Sequence, residues 1–198
     1  MAWKRNKKEF ADFKPDVNPS TWLKTARLTQ QQRLRLTKWG CYIGMVVLGL
    51  VLQDTIMSQF RLFGATTDLA TMAIMMITVL EGTEVGSIFV LLISLFYYFS
   101  GSAPGPYCVV LMSFLGIAAT MLRQMYWHRS KGSVLLCAML ALMGYEIGLF
   151  VVGILSELTW VGRIGSFVMT GIYSCLLMIP LYPVIYKIGL IGGNTWKE

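Results

Sequence analysis

Charge is scarce in this sequence. Of its 198 residues, 14% are Asp, Glu, Lys or Arg, against roughly a quarter in ordinary soluble domains. So few charges cannot cover a water-facing surface, and the solvent for most of the chain reads as lipid. Histidine is rarer still, with His128 alone between Trp127 and Arg129. One lone histidine builds neither a metal site nor a Ser/His/Asp set. The four cysteines, Cys41, Cys108, Cys137 and Cys175, show no CxxC spacing, and each sits in or beside an apolar run. They read as small membrane-buried residues, not as a disulfide or metal framework. No paired-His motif or phosphate loop occurs, and Gly192-Gly193 belongs to the C-terminal end. No catalytic, cofactor-binding or metal-ligating residue is assigned, no cofactor is expected, and the expectation is a protein that is not an enzyme.

What is present is hydrophobic: 56% of the chain, with 13 Met and 19 Gly. Apolar runs lie near 40–57, 63–80, 84–99, 107–122, 133–155 and 164–186. A membrane span needs about 20 mostly apolar residues. The second, third and fourth runs sit at the short end of that range. Turn residues separate them, first Glu81-Gly82-Thr83-Glu84 and then Ser100-Gly101-Ser102-Ala103-Pro104-Gly105-Pro106. The runs are too long for strands and lack polar alternation. The fold expected is an all-α integral membrane protein with six transmembrane helices. It divides into a basic N-terminal tail (1–38), a six-helix transmembrane domain (39–190) and a short C-terminal tail (191–198). A removable signal peptide is not expected, because the polar head is too long and the first run lacks an A-x-A-type exit.

The net charge of +7 lies entirely in residues 1–38, where ten Lys/Arg face three acids; residues 39–198 balance at seven and seven. Such a segment ahead of an apolar run is a topology signal before it is a nucleic-acid arm, and no nucleic-acid partner is expected. With the N-terminus inside, the inner segments hold fifteen Lys/Arg and the outer ones only Arg61 and Arg163. That bias predicts both termini in the cytoplasm. In the tail, Ser20 can cap a helix through Trp22–Leu28, and Arg33, Arg35 and Lys38 can hold the tail to anionic lipids. A solvated tail fits the same residues.

On this map Tyr97, Tyr98, Ser100, Gly101, Pro104 and Gly105 form an outer hairpin. Phe96–Phe99 form its interfacial aromatic belt, and its Gly and Pro residues stop the helix. Asp54, Arg61, Asp68, Glu157 and Arg163 are expected as outer interfacial charges, pairing across short loops. Pro180 and Pro183 are expected to kink or loosen the last helix. Glu146 stands apart, halfway along the fifth run. An ionisable group at that depth costs about 2.5–3.5 kcal/mol on insertion scales, so it usually has a task. Packing, contact with a partner's membrane helix and contact with a ligand all remain open. Gly40/Gly44, Gly82/Gly86 and Gly144/Gly148 have GxxxG spacing, which lets helices approach closely. Gly144, Tyr145, Glu146 and Gly148 are thus the candidate partner or packing interface.

Arg61-Leu62-Phe63-Gly64-Ala65-Thr66-Thr67-Asp68-Leu69 resembles the "G-x-x-P-D-L" lead-in to the second helix of the bacterial rod shape-determining MreD family, particularly its clostridial-type forms. The Glu81-Gly82 turn follows, and Ser100-Gly101-Ser102-Ala103-Pro104-Gly105 is similar to that family's "D-x-x-S-G-x-x-G" segment. Tyr145-Glu146 and the proline-bearing last helix fit the same order, over about 40–190. Thr67 stands where the family usually has Pro, and Tyr97 where many members place Asp. The resemblance implies a non-enzymatic, multi-pass scaffold in the bacterial cytoplasmic (inner) membrane, serving cell-wall elongation and rod shape. It implies an MreC-like partner, and through it RodA and a class B penicillin-binding protein, with the MreB filament on the cytoplasmic side. An alternative is the substrate-binding S component of an energy-coupling-factor vitamin transporter. That family is also six-helical, and the implied architecture is an S-component-like bundle.

Overall fold

The computed structural model describes residues 30–57, 65–126 and 131–191. About 87% of these are helical, and none of them forms a strand. In chain order the helices are α1 (Gln30–Leu52), α2 (Leu69–Glu81), α3 (Thr83–Phe99), α4 (Tyr107–Tyr126), α5 (Lys131–Leu155) and α6 (Ile164–Gly189). A π-helical turn, Gln53–Met57, extends α1, and a short 3-10 turn, Val161–Arg163, leads into α6. The basic tail before residue 30, Arg61, His128 and the end beyond residue 191 lie outside the described residues.

Four segments are long and apolar enough to cross a membrane: Gln30–Thr55, Tyr107–Met125, Gly132–Leu155 and Val161–Gly189. The second and third apolar runs form shorter helices of 13 and 17 residues. Part of that shortening is a capping effect. The run near 63–80 suggests helix from its first apolar residue, yet Ala65–Asp68 are not helical. Asp68 accepts the Thr71 N–H (3.0 Å) and so caps α2 at Leu69. An Asp side chain at that position satisfies a donor that has no partner within the helix.

The shortest helix is the innermost. Every residue from Ala70 to Leu80 is buried, and α2 packs against all five other helices. Around it, α3 meets α4, α4 meets α5, α5 meets α6, and α6 meets α1. Trp39 and Tyr42 of α1 stack on Phe89 of α3 and close the ring. The central helix is methionine-rich (Met72, Met75, Met76), and these flexible side chains suit contact on all sides. The outward faces stay apolar, with Ile43, Leu48, Ile88, Leu92, Phe114, Leu140 and Leu176 exposed. A bundle apolar both inside and out is compatible with a membrane protein.

Contacts between helices mark two ends of the bundle. At one end Thr83 meets Gln124, and Gly189 reaches Tyr42 and Leu80. At the other end the Asp54 carboxylate accepts a bond from Ser102 (3.0 Å). Gly82 turns α2 into α3 with φ +87°, and Gly101 turns the 99–106 hairpin with φ +78°. These left-handed values favour glycine at both places. Helix α6 runs from Ile164 to Gly189 with Pro180 and Pro183 inside it. The four cysteines are free thiols, with Cys108 and Cys137 buried and Cys41 exposed.

The α2–α3 hairpin is held by backbone proximity at Gly86, where a side-chain carbon would overlap the Thr78 carbonyl. Gly86→Ala should therefore destabilise the protein by roughly 1–3 kcal/mol through overpacking. Gly40→Ala, with nothing within 4 Å of the added carbon, should be neutral or slightly stabilising. Thermal denaturation of the two variants in the same detergent compares them directly.

Candidate functional site

Polar side chains inside this bundle gather at both ends of α2. At its C-terminal end Glu81 is clasped by α1. Lys38 Nζ lies 2.6 Å from Glu81 Oε1 and donates to Oε2 at 2.8 Å, while the Tyr42 hydroxyl donates to Oε1 at 2.6 Å. Lys38 is only 5% exposed. Arg123 of α4, 7% exposed, donates to the Val79 carbonyl, one of those left without a partner inside α2. Two cations at a helix C-terminus also complement its dipole. Thr83 closes this end with a hydroxyl bond to Gln124.

The N-terminal end of α2 is built differently. The Asp68 oxygens accept from the Thr71 N–H and the Thr71 hydroxyl. The Asp68 N–H donates to Ser174 Oγ of α6 (3.0 Å), and the Ala70 N–H to Gln53 Oε1 (3.1 Å). Gln53 opens the π-helical turn after α1, and π-turns are frequent where a functional side chain must be re-aimed. The Gln53 amide and the Tyr97 hydroxyl lie within hydrogen-bonding reach of the Asp68 carboxyl. Tyr145 is wholly buried, and its hydroxyl has no hydrogen-bond partner among the described residues. It stands within electrostatic reach of Asp68, Tyr97, Cys108 and Glu146. Glu146 is 3% exposed and faces α6, its Cγ 3.5 Å from where a side-chain carbon on Gly171 would lie.

Several sequence-stated sites are thereby relocated. Asp68, expected as an outer interfacial charge, is half-buried and caps the central helix; its expected pairing with Arg61 lies outside the described residues. Tyr97 does not belong to the aromatic belt, because it is 1% exposed while Phe96, Tyr98 and Phe99 face outward. One residue of helix advances the side chain by about 100°, enough to turn Tyr97 inward. The groove at Gly144 and Gly148 is filled by the chain's own Leu115 and Leu111 from α4. Tyr145 and Glu146 lie on other faces of α5 and reach the interior. In the outer hairpin, Ser100 Oγ donates to the Tyr97 carbonyl (2.7 Å) and the Tyr107 hydroxyl to the Pro104 carbonyl (3.3 Å). Pro104 and Gly101 are exposed, and Gly105 lies against the Tyr107 ring. Asp54, Glu157 and Arg163 are exposed.

Arg123, Gln53, Thr71 and Ser174 carry the polar structure without having been singled out in the sequence; Lys38, expected at anionic lipid, is instead buried on Glu81, which was expected only as part of a turn. A signal for one pair was present: alternating helix direction alone puts Lys38 and Glu81 at the same end.

The Lys38–Glu81 pair is buried enough that its halves depend on each other. Lys38→Met leaves a carboxylate uncompensated and should cost about 3–5 kcal/mol. Lys38→Met combined with Glu81→Leu should recover most of that loss. Unfolding midpoints of the two single variants and the double variant give the coupling.

Compared with known proteins, the chain matches no family model, no curated protein and no solved structure.

Proposed function

We propose that this chain is a non-enzymatic membrane scaffold of the bacterial cell-wall elongation machinery, similar to MreD. In this reading it crosses the cytoplasmic membrane six times with both termini inside. The observation that carries the reading is the order of segments: the Gly64–Leu69 lead-in, the Glu81-Gly82 turn, the Ser100–Gly105 hairpin, Tyr145-Glu146 and the proline-bearing last helix. The fifteen-to-two Lys/Arg bias supports the orientation. The two short helices, α2 and α3, then cross as part of the bundle, with their ends served by neighbouring side chains and not by lipid headgroups.

A scaffold acts through its surface. The Gly144–Gly148 groove is occupied from within, whereas Gly40 and Gly44 lie on an open face of α1 beside exposed Ile43, Val47 and Leu48. The partner in this reading is an MreC-like protein, and through it RodA and a class B penicillin-binding protein, with MreB across the membrane. The basic tail holds anionic lipid. Native Cys41 is exposed on α1 and offers a crosslinking handle. Crosslinking in cells followed by affinity purification should recover an MreC-like protein, and depletion should widen the cells. Recovery of no such partner, together with normal cell width on depletion, would refute the scaffold.

The polar groups around Asp68 favour one other reading, the S component of a vitamin transporter, which needs an enclosed polar site. Stoichiometric vitamin in the purified protein would decide for it.

A further inference from the structure

Between α5 and α6 the chain runs Ser156-Glu157-Leu158-Thr159-Trp160 and then the Val161–Arg163 turn. This loop is tied down through its backbone. The Ser156 N–H donates to the Val152 carbonyl (2.9 Å), and the Leu158 and Thr159 N–H groups both donate to the Gly153 carbonyl (2.9 and 3.1 Å). Glu157 reverses the chain with a left-handed φ of +57°. The Thr159 side chain occupies the space that a side-chain carbon on Gly153 would need. The Arg163 N–H then closes on the Trp160 carbonyl (3.0 Å). With its backbone held in this way, the loop turns its large side chains outward. Trp160 is 86% exposed, Leu158 68% and Val161 66%.

An exposed apolar cluster of this kind marks a surface for protein or for membrane. Two observations favour membrane. The cluster is continuous with the outward apolar faces of both helices that it joins. Ile147, Val151 and Leu155 are exposed at helical spacing along α5 and lead into it, and Ile164, Ile172, Leu176 and Ile179 continue from it along α6. The second observation is length. Helix α6 has 26 residues and is about 39 Å long, while a bilayer measures about 30 Å across its hydrocarbon and about 40–45 Å with its headgroup regions. The one charged residue of α6 is Lys187 in its last turn, and Arg163 stands immediately before its first residue. An apolar helix of this length with a cation at each end puts both cations at headgroup level, and the loop that carries Arg163 lies there too. Tryptophan concentrates at that boundary because its ring is apolar and its N–H is polar.

We propose that residues 155–164 form a membrane-surface anchor, with Leu158, Trp160 and Val161 seated at the headgroup–acyl boundary of a phospholipid bilayer and Arg163 on a lipid phosphate. Among the described residues neither Glu157 nor Arg163 belongs to an ion pair, so the guanidinium is available to the phosphate. The two charges of the loop cancel, and the anchor therefore works on zwitterionic lipid, unlike the basic tail. Its effect is to fix the depth of the α5–α6 hairpin.

The anchor rests on α5 and α6 crossing a bilayer and does not require the scaffold reading. The full chain is reconstituted into phosphatidylcholine vesicles whose acyl chains carry bromine, either near the headgroup or near the chain end. Bromine quenches tryptophan emission on contact. The Trp160 signal is the difference between wild type and Trp160→Phe, a change at an exposed position that leaves the packing alone. A second protein, Trp160→Phe with Leu176→Trp, reports from the middle of α6, where the side chain is exposed. The Trp160 signal should be lost to the shallow bromines more than to the deep ones and should resist acrylamide in the water. The Leu176→Trp signal should be lost to the deep bromines. A Trp160 signal that acrylamide quenches and neither lipid does overturns the anchor, while quenching at Leu176→Trp leaves the bilayer crossing standing. A Trp160 signal shielded from acrylamide and from both lipids overturns it in favour of a protein cover, such as a second copy of this chain. If Leu176→Trp escapes both lipids, α6 does not cross the bilayer and the anchor falls with that reading.

Discussion

A helix of 13 residues rises about 20 Å, while the hydrocarbon core of a bilayer is about 30 Å thick. Placed at the centre of a bundle, such a helix cannot bring both its ends to the headgroups. Its terminal N–H and C=O groups must find partners inside protein, because the apolar side chains packed around it offer none. The remaining interior chemistry answers that demand. Asp68 meets the free N–H of Thr71, Gln53 meets Ala70, and Arg123 meets the carbonyl of Val79. Each of these comes with a cost of its own, since it brings a charged or polar side chain into an apolar bundle. The neighbours Ser174, Thr71, Lys38 and Tyr42 offset parts of it. The long helices are therefore more than a lipid-facing wall, because α1, α4 and α6 each send a polar group inward to the short one.

Much of the helical plan could be read from the sequence, because it rests on local properties. The apolar runs locate the helices, and Gly82 and Gly101 mark turns whose φ values favour glycine. Where the plan failed, a tertiary contact decided. An apolar window counts Ala65–Thr67 with the residues after Asp68, although a cap separates them. GxxxG spacing at Gly144 and Gly148 announces a groove without naming its occupant, and Leu111 and Leu115 of the same chain fill it. The composition of Phe96–Phe99 suggests a uniform belt, but helical phase sends one member, Tyr97, inside. The Lys38–Glu81 contact spans 43 positions, so only the topology brings its members together.

The two buried glutamates make a controlled comparison within one molecule. Both sit on helices of the same bundle, and both are largely shielded from solvent. Glu81 is neutralised on the spot by Lys38 and held by Tyr42, so its burial is explained by fixing α1 to α2. Glu146 has neither kind of companion among the described residues. Its neighbour Gly171 has no side chain, and a carbon there would come within 3.5 Å of Glu146 Cγ and within contact of Met143. The glycine thus leaves room for the carboxylate arm where a leucine pair would pack more tightly. If packing were the whole task at this place, an apolar residue at 146 would serve it at lower electrostatic cost. Packing by itself therefore accounts for Glu81 and leaves Glu146 without a reason, and the unsatisfied Tyr145 hydroxyl next to it compounds the same deficit.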